Sequence, residues 1–332
     1  MNRTITRALA PLALAASLAL AGCAAPAATP ATAPDVSTAA TSTVTIEDNN
    51  GQHVLTVPPT RVVALDNASF TLLDEWDVEL VAGARSLMRP DLSYKNNDAI
   101  ADTGNHREPN LEVIVAAQPD LVIGGGRYAS YMEKISQLIG DTPLLDLTPR
   151  DGQDFTAELK RKVTTLGTVF GKEAEAKEQV AAFDAAVARV KAAYDPADKV
   201  MAVITSGGNV NYAAPGSGRT LGPVFEMAGL TPALEIADAS SDHQGDDISV
   251  EAIAAANPDW ILVMDRDAAT AATSGESYTP ANELIANSAA LRNVTAVQED
   301  NLVYMPQYTY LDESLATYTE FLEDFADALE KA

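Results

Sequence analysis

Two stretches of this chain repeat one another, and they limit what it can fold into. Residues 110–127 read NLEVIVAAQPDLVIGGGR, and residues 249–266 read SVEAIAAANPDWILVMDR. Aligned without a gap they share Glu112/Glu251, Ile114/Ile253, Ala116/Ala255, Ala117/Ala256, Pro119/Pro258, Asp120/Asp259 and Arg127/Arg266. Each opens on a helix-capping residue, Asn110 or Ser249, followed by an early acid that suits a helix N-terminus. A Pro-Asp turn then stops the helix, because proline cannot continue it. An apolar run follows, Leu121–Ile123 or Trp260–Met264, and reads as a buried parallel strand. Each strand ends near an arginine. The C-terminal ends of parallel strands are where open α/β sheets hold ligands. A single arginine there would read as a solvated strand end. Two at matching places in a repeat point to a site.

The rest of the chain supports two copies of one plan. Thr43–Asp48 and His53–Val57 alternate about Asn49-Asn50-Gly51, a hairpin signal. From Arg61 strands and helices alternate: strands at 62–65, 78–82, 121–123 and 144–147, helices at 68–76 and 128–139. A polar loop from Arg85 to Glu108 carries Met88, Arg89 and Tyr94. After Lys199 the pattern resumes, with strands at 200–205, 260–264 and 302–305, helices at 221–228 and 312–331, and a polar loop holding His243. Alternation of this kind predicts parallel sheets covered on both faces. Between the halves, residues 152–195 keep helical spacing (Leu159, Val163, Leu166, Phe170), with soft points at Gly167 and Gly171. They read as one long helix, with a break near Gly171 as the alternative, ending before Asp195-Pro196. The expected fold is α/β: two Rossmann-like lobes, 44–151 and 196–332, joined by that helix, with a cleft between them. A rigid bridge of this kind predicts little closure on binding.

The N-terminus reads as targeting, not fold. Arg3 and Arg7 precede an apolar run, Ala8–Leu20, and then Leu20-Ala21-Gly22-Cys23. That pattern resembles a bacterial lipobox. It implies a signal peptide at 1–22, removed before Cys23, and lipid on the chain's only cysteine. Residues 23–43, rich in Ala, Pro, Thr and Ser, read as a flexible tether. With no second cysteine there is no disulfide.

The formal net charge is −25 over 332 residues. It argues against nucleic acid and anionic membrane surfaces as partners. It leaves room for an anionic ligand held by a few arginines. No nucleophile motif, Walker loop, HExxH or CxxC occurs, which argues against an enzyme. Three separated histidines are too few for a dedicated metal site. The Gly124-Gly125-Gly126 run lacks dinucleotide spacing and reads as room for a bulky ligand near the backbone. What recurs is arginine on loops that converge on the cleft: Arg127, Arg219 and Arg266. Tyr128, Tyr212, Tyr308 and Tyr310 accompany them. Like charges 4 Å apart cost about 4 kcal/mol at an effective dielectric near 20, so something anionic should sit among them. A trianionic ligand with flat aromatic arms would fit.

At this point the chain resembles a substrate-binding lipoprotein of an iron–siderophore ABC transporter, in the class with one bridging helix, and within it the catecholate receptors. The likeness runs over about residues 44–332. It is carried by ALDNAS around Asn67, GNHREPNLEVI, QPDLVIGGGR, PGSGRTLGPVFE, DRDA and MPQYTYL. The resemblance implies a monomeric extracytoplasmic receptor with no cofactor, whose ligand is a ferric siderophore. It implies that Arg127, Arg219 and Arg266 bind a ferric tris-catecholate. It also implies that His243 and Tyr308 or Tyr310 face the iron and can ligate it where the siderophore leaves positions open. The loop around His243 is longer and more acidic than the family pattern, so a solvated histidine stays open. Glu112 and Glu251 match the glutamates that dock on the permease; ordinary helix N-terminal charge is the plainer account of both. Ferric hydroxamate, haem, cobalamin and ferric citrate remain alternative ligands.

Overall fold

A computed structural model describes residues 42–332. The export segment read at 1–22, Cys23 and most of the tether lie outside the described residues. The tether ends sooner than expected, since Ser42 and Thr43 already belong to β1 (Ser42–Asp48). β1 pairs antiparallel with β2 (Gly51–Val57), Asp48 opposite Gly51, leaving Asn49-Asn50 as the turn. Asp48 fixes that turn by accepting from the backbone N–H of Asn50 (2.7 Å) and Gly51 (3.1 Å). Its other oxygen accepts from the Asp146 N–H, which ties the hairpin to the first sheet.

The first α/β unit runs β3 (Val62–Ala64), α1 (Phe70–Glu75), β4 (Leu80–Gly83), β5 (Ala101–Asp102), α2 (Leu111–Ala116), β6 (Leu121–Gly124), α3 (Met132–Ile139) and β7 (Leu144–Asp146). Its strands lie in the order β5-β4-β3-β6-β7, all parallel. Two helices follow, α4 (Phe155–Phe170) and α5 (Glu173–Ala193). The second unit runs β8 (Val200–Ser206), β9 (Asn209–Tyr212), α6 (Gly222–Ala228), α7 (Val250–Ala256), β10 (Trp260–Asp265), α8 (Arg266–Ser274), α9 (Ala281–Asn287), α10 (Thr295–Gln298), β11 (Leu302–Tyr304) and α11 (Leu315–Leu329). Its order is β11-β10-β8-β9. One detail corrects the expectation of purely parallel sheets. β9 runs antiparallel to β8, because Gly207 (φ +59°) and Gly208 (φ +79°) supply the two left-handed residues of a tight hairpin.

The sequence repeat is a structural repeat. Asn110 caps α2 by accepting from Val113 N–H, and Ser249 caps α7 by accepting from Ala252 N–H. Past each helix the chain turns through a left-handed residue, Gln118 (φ +46°) or Asn257 (φ +44°). Asp120 and Asp259 then serve one purpose: each accepts, at 2.8 Å, from the backbone at the start of the neighbouring strand, Arg61 N–H or Lys199 N–H. β6 pairs with β3 as β10 pairs with β8.

The reading of 152–195 as one long helix is corrected in favour of its alternative, a break near Gly171. The helix breaks at Gly171, which caps α4 in the left-handed conformation (φ +67°), and α5 folds back along α4. Lys160 and Asp184 form an ion pair at 2.8 Å although 24 residues separate them. In a continuous helix they would stand about 36 Å apart. Gly167 permits the tight crossing, since a Cβ there would lie 2.7 Å from the Ala176 Cβ. α5 remains the long element that leads into the second sheet, with Phe183, Ala186 and Val190 buried. Together with α4 and α11 it carries one continuous apolar core from the first sheet to the inner face of the second. The outer face of the second sheet has its own smaller core, including Met201, Val203, Ile253 and Ile261.

Because the α4–α5 crossing has no room for side-chain volume, Gly167→Val should destabilise the fold by about 1–3 kcal/mol. An unchanged denaturant midpoint would show that the crossing is looser than described.

Candidate ligand-binding cleft

Three arginines reach one aromatic ring. Arg127 lies in the 3-10 turn Gly126–Tyr131 that leaves β6. Arg266 is the first residue of α8, directly after β10. Arg219 comes from the loop between β9 and α6. Their guanidinium carbons stand 4.8, 4.7 and 5.6 Å from the ring centre of Tyr310. Such contacts are favourable because the ring face is electron-rich. The Nε atoms of Arg127 and Arg266 are buried and have no hydrogen-bond partner. Buried donors without partners are costly, and a ligand oxygen would satisfy them.

Tyr310 is carried by the segment between β11 and α11, which bonds to both units. The Tyr310 carbonyl accepts from Arg127 Nη2 (2.9 Å), and the Leu311 carbonyl accepts from Asn67 Nδ2 (2.7 Å). Asp312 accepts through one oxygen from Thr71 (2.6 Å) and from Arg89 (3.0 Å). Glu313 accepts from both Nε and Nη2 of Arg219, at 3.0 and 2.9 Å, and from the Thr220 hydroxyl. Asn67, Asp66, Gly126, Arg127, Lys162 and Arg219 border a crevice of about 330 Å³.

Burial pushes the Tyr310 phenol up, but the charges of Arg127 and Arg266, with hydrogen bonding from both guanidiniums, outweigh it and hold the phenol below the ordinary tyrosine value. His243 stands at the same place, its ring centre 6.3 Å from that of Tyr310. Burial lowers its imidazole. Asp242 opposes that shift, and Arg266, Arg219 and Arg127 add to it. The ring is therefore neutral near pH 7, with a lone pair free for bonding.

The other predicted residues separate into groups. Tyr308 turns away from the three arginines and stacks on Arg89, 5.2 Å from its ring centre. Tyr128 and Tyr212 are corrections: both are fully buried core side chains that do not line the cleft. Tyr128 donates to the Gly104 carbonyl, and Tyr212 to the Leu234 carbonyl, and burial pushes the Tyr212 phenol up to about 12. The glycine run is corrected too. A Cβ at Gly124 would strike the Met132 sulfur at 2.5 Å, and one at Gly125 the Asp146 and Thr148 side chains at 2.4 Å. Those glycines serve the protein's own packing. Glu112 and Glu251 are exposed in the first turns of α2 and α7, away from the arginines. A shallow groove of about 780 Å³ runs beside Glu112, lined by Leu111, Val115, Tyr131 and Leu138. Sequence reasoning missed Asp312 and Glu313 as parts of the site and left Arg89 as a loop residue. Their partners lie 223 and 94 residues away, so no local pattern marks them.

The Tyr310 environment has a measurable sign. A phenol whose folded value lies below its unfolded one adds stability above the unfolded value and loses it as pH falls through the folded value. In an absorbance titration Tyr310→Phe should remove the limb that ionises below the ordinary tyrosine range. If the limb persists, the arginines do not act on that ring.

Similarity to known proteins agrees with this geometry. The chain matches the family described as periplasmic binding protein over residues 62–309. It is 29% identical to the petrobactin-binding protein YclQ of Bacillus subtilis over 289 residues, 86% of each chain. It is 32% identical to the ferric-anguibactin-binding protein FatB of Vibrio anguillarum over 266 residues, 79% of each chain. The crystal structure of YclQ superposes with a TM-score of 0.71 at 26% identity, covering 88% of this chain and 100% of the other. The two tandem sheets, the repeated strand–arginine unit and these matches together make the chain a member of the periplasmic binding protein family.

Proposed function

We propose that this protein is an extracytoplasmic receptor that captures a ferric siderophore of the catecholate type and delivers it to an ABC permease for iron uptake. One observation carries the reading: three guanidinium groups converge on a single aromatic ring, and two of them keep buried Nε donors without partners. A ring with an ionisable oxygen at the focus of three arginines is the local chemistry of a catecholate. Similarity to binding proteins for petrobactin and ferric anguibactin supports the same class of ligand. The receptor binds and releases its ligand without a reaction.

Binding then rests on charge, stacking and shape. Fe(III) held by three doubly ionised catechols carries a net charge of −3 by simple addition. Arg127 and Arg266 would meet its oxygens with their unpartnered donors, and Arg219 would add a third positive charge. Tyr310 would shift aside or stack on a catechol ring. Where a siderophore leaves iron positions open, Tyr310 and the neutral His243 are the side chains suited to fill them. Tyr308, held by Arg89, is not.

The carrier role needs two further features. Glu112 and Glu251 are exposed, related by the repeat, and one lies on each unit, as a two-point dock on a permease dimer requires. Cys23, after a short apolar run, would hold the receptor at the membrane through lipid. Among the described residues no helix is long and apolar enough to cross a membrane.

Titration of the soluble chain with a ferric tris-catecholate and a ferric hydroxamate should give tight binding of the first alone. Arg127→Ala and Arg266→Ala should each weaken it at least tenfold, each removing a charge-assisted contact of about 1.5–3 kcal/mol. In the same titrations a ferric bis-catecholate should gain a charge-transfer band that Tyr310→Phe abolishes. Binding of the hydroxamate alone, or full affinity in both arginine variants, would end the catecholate assignment. In cells, Glu112→Arg with Glu251→Arg should stop uptake while binding persists, and Cys23→Ser should move the protein from the membrane to the soluble fraction. Normal uptake by the first variant, or membrane retention of the second, would refute that half of the carrier role.

A further inference from the structure

The three cleft arginines are not equivalent. Arg127 and Arg266 keep an unpartnered buried Nε, whereas Arg219 is held on two nitrogens by the Glu313 carboxylate. Paired N–H donors on one carboxylate fix the plane of a guanidinium as well as its position. Both partners are partly buried, with side chains 29% and 22% exposed. The nearest acid to Arg266 is different in kind: Asp267 stands 3.8 Å away, beyond hydrogen-bond distance. One of the three positive charges is thus already matched by an internal anion on the segment that carries Tyr310.

We propose that Glu313 is a specificity-determining counter-ion: it orients Arg219 toward the ligand and sets how strongly the cleft prefers the more anionic ferric complexes. The proposal rests on the reading of the cleft as a ferric-chelate site. Without Glu313, three unpaired guanidiniums would crowd one ring and repel one another in the empty protein. With it, the empty cleft is spared part of that repulsion, at the expense of a negative charge that opposes a trianionic ligand. A neutral complex would feel neither effect. Glu313 reaches the ligand only through Arg219 and through its field, so it is a positioning residue and not a contact.

The test is a charge series. Wild type, Glu313→Gln, Arg219→Ala and the double variant Arg219→Ala/Glu313→Ala are titrated with the trianionic ferric tris-catecholate and a neutral ferric tris-hydroxamate, with melting temperatures measured alongside. Glu313→Gln keeps the side chain's size and removes its charge. It should raise affinity for the trianion about tenfold and leave the neutral complex within twofold, so the preference ratio moves. Arg219→Ala strands a carboxylate against the cleft and should lose more affinity for the trianion than Arg127→Ala does. The double variant should recover about tenfold of that loss, a coupling that a purely structural role would not produce. If wild type binds neither complex, the ferric-siderophore reading of the cleft falls and this proposal with it. If wild type binds the trianion but the ratio is unmoved in Glu313→Gln, and the double variant is no better than Arg219→Ala, the counter-ion role is overturned and the receptor reading stands. Should Glu313→Gln fail to fold, the comparison of Arg219→Ala with the double variant decides alone.

Discussion

Asp312 is almost wholly removed from water, and a carboxylate in that position must be paired. Thr71 and Arg89, both from the first unit, supply the pairing. That requirement draws the chain after β11 out of its own sheet and across to the other. The neighbouring residues follow: Leu311 is held by Asn67, Tyr310 by Arg127, and Glu313 returns to Arg219 on the second unit. The cleft is therefore assembled around one short connection. Breaking a buried ion pair by removing one partner is far more damaging than never having had it. The backbone at Tyr310 inherits that rigidity, while its ring keeps its own torsions.

The same connection explains how an acidic protein presents a basic site. A net charge of −25 spread over the surface is screened within about 8 Å at physiological salt. Arginines grouped in a partly buried cleft are screened much less. Long-range repulsion of an anionic chelate and short-range attraction to it therefore coexist on different length scales. The three cations that meet the Tyr310 ring are arginines, in keeping with arginine's weaker hydration and fixed charge in a half-buried place.

Much of the architecture was legible in the sequence because it is written locally. Asn110 and Ser249 as caps, the Pro-Asp stops and the apolar runs of β6 and β10 each act over a few residues. The likeness of the two stretches then marked the strand ends of Arg127 and Arg266, and both meet Arg219 at the Tyr310 ring. The misses have a common cause. Period and propensity say that Tyr128 and Tyr212 adjoin the site, but not which way a side chain points, and both point inward. Gly171 was visible as a soft point, yet only the fit of Gly167 against Ala176 decides that α5 doubles back. β9 follows a Gly-Gly pair that reads equally well as a loop. Arg89, Asp312 and Glu313 became part of the site through contacts spanning 94 to 241 residues, which no window along the chain can sense.

The shared core has a consequence for how such a chain comes into being. Phe321 and Phe325 of α11 complete the packing over α5, and the segment just before α11 satisfies Asn67, Thr71 and Arg89 near the opposite end of the sequence. All the strands precede α11, yet the core that covers both sheets is closed only by that last helix. The larger core of such a chain therefore has contributors from both ends of the sequence and lacks part of its cover until α11 is present. Trimming the C-terminal helix would thus uncover both sheets at once instead of unravelling one lobe.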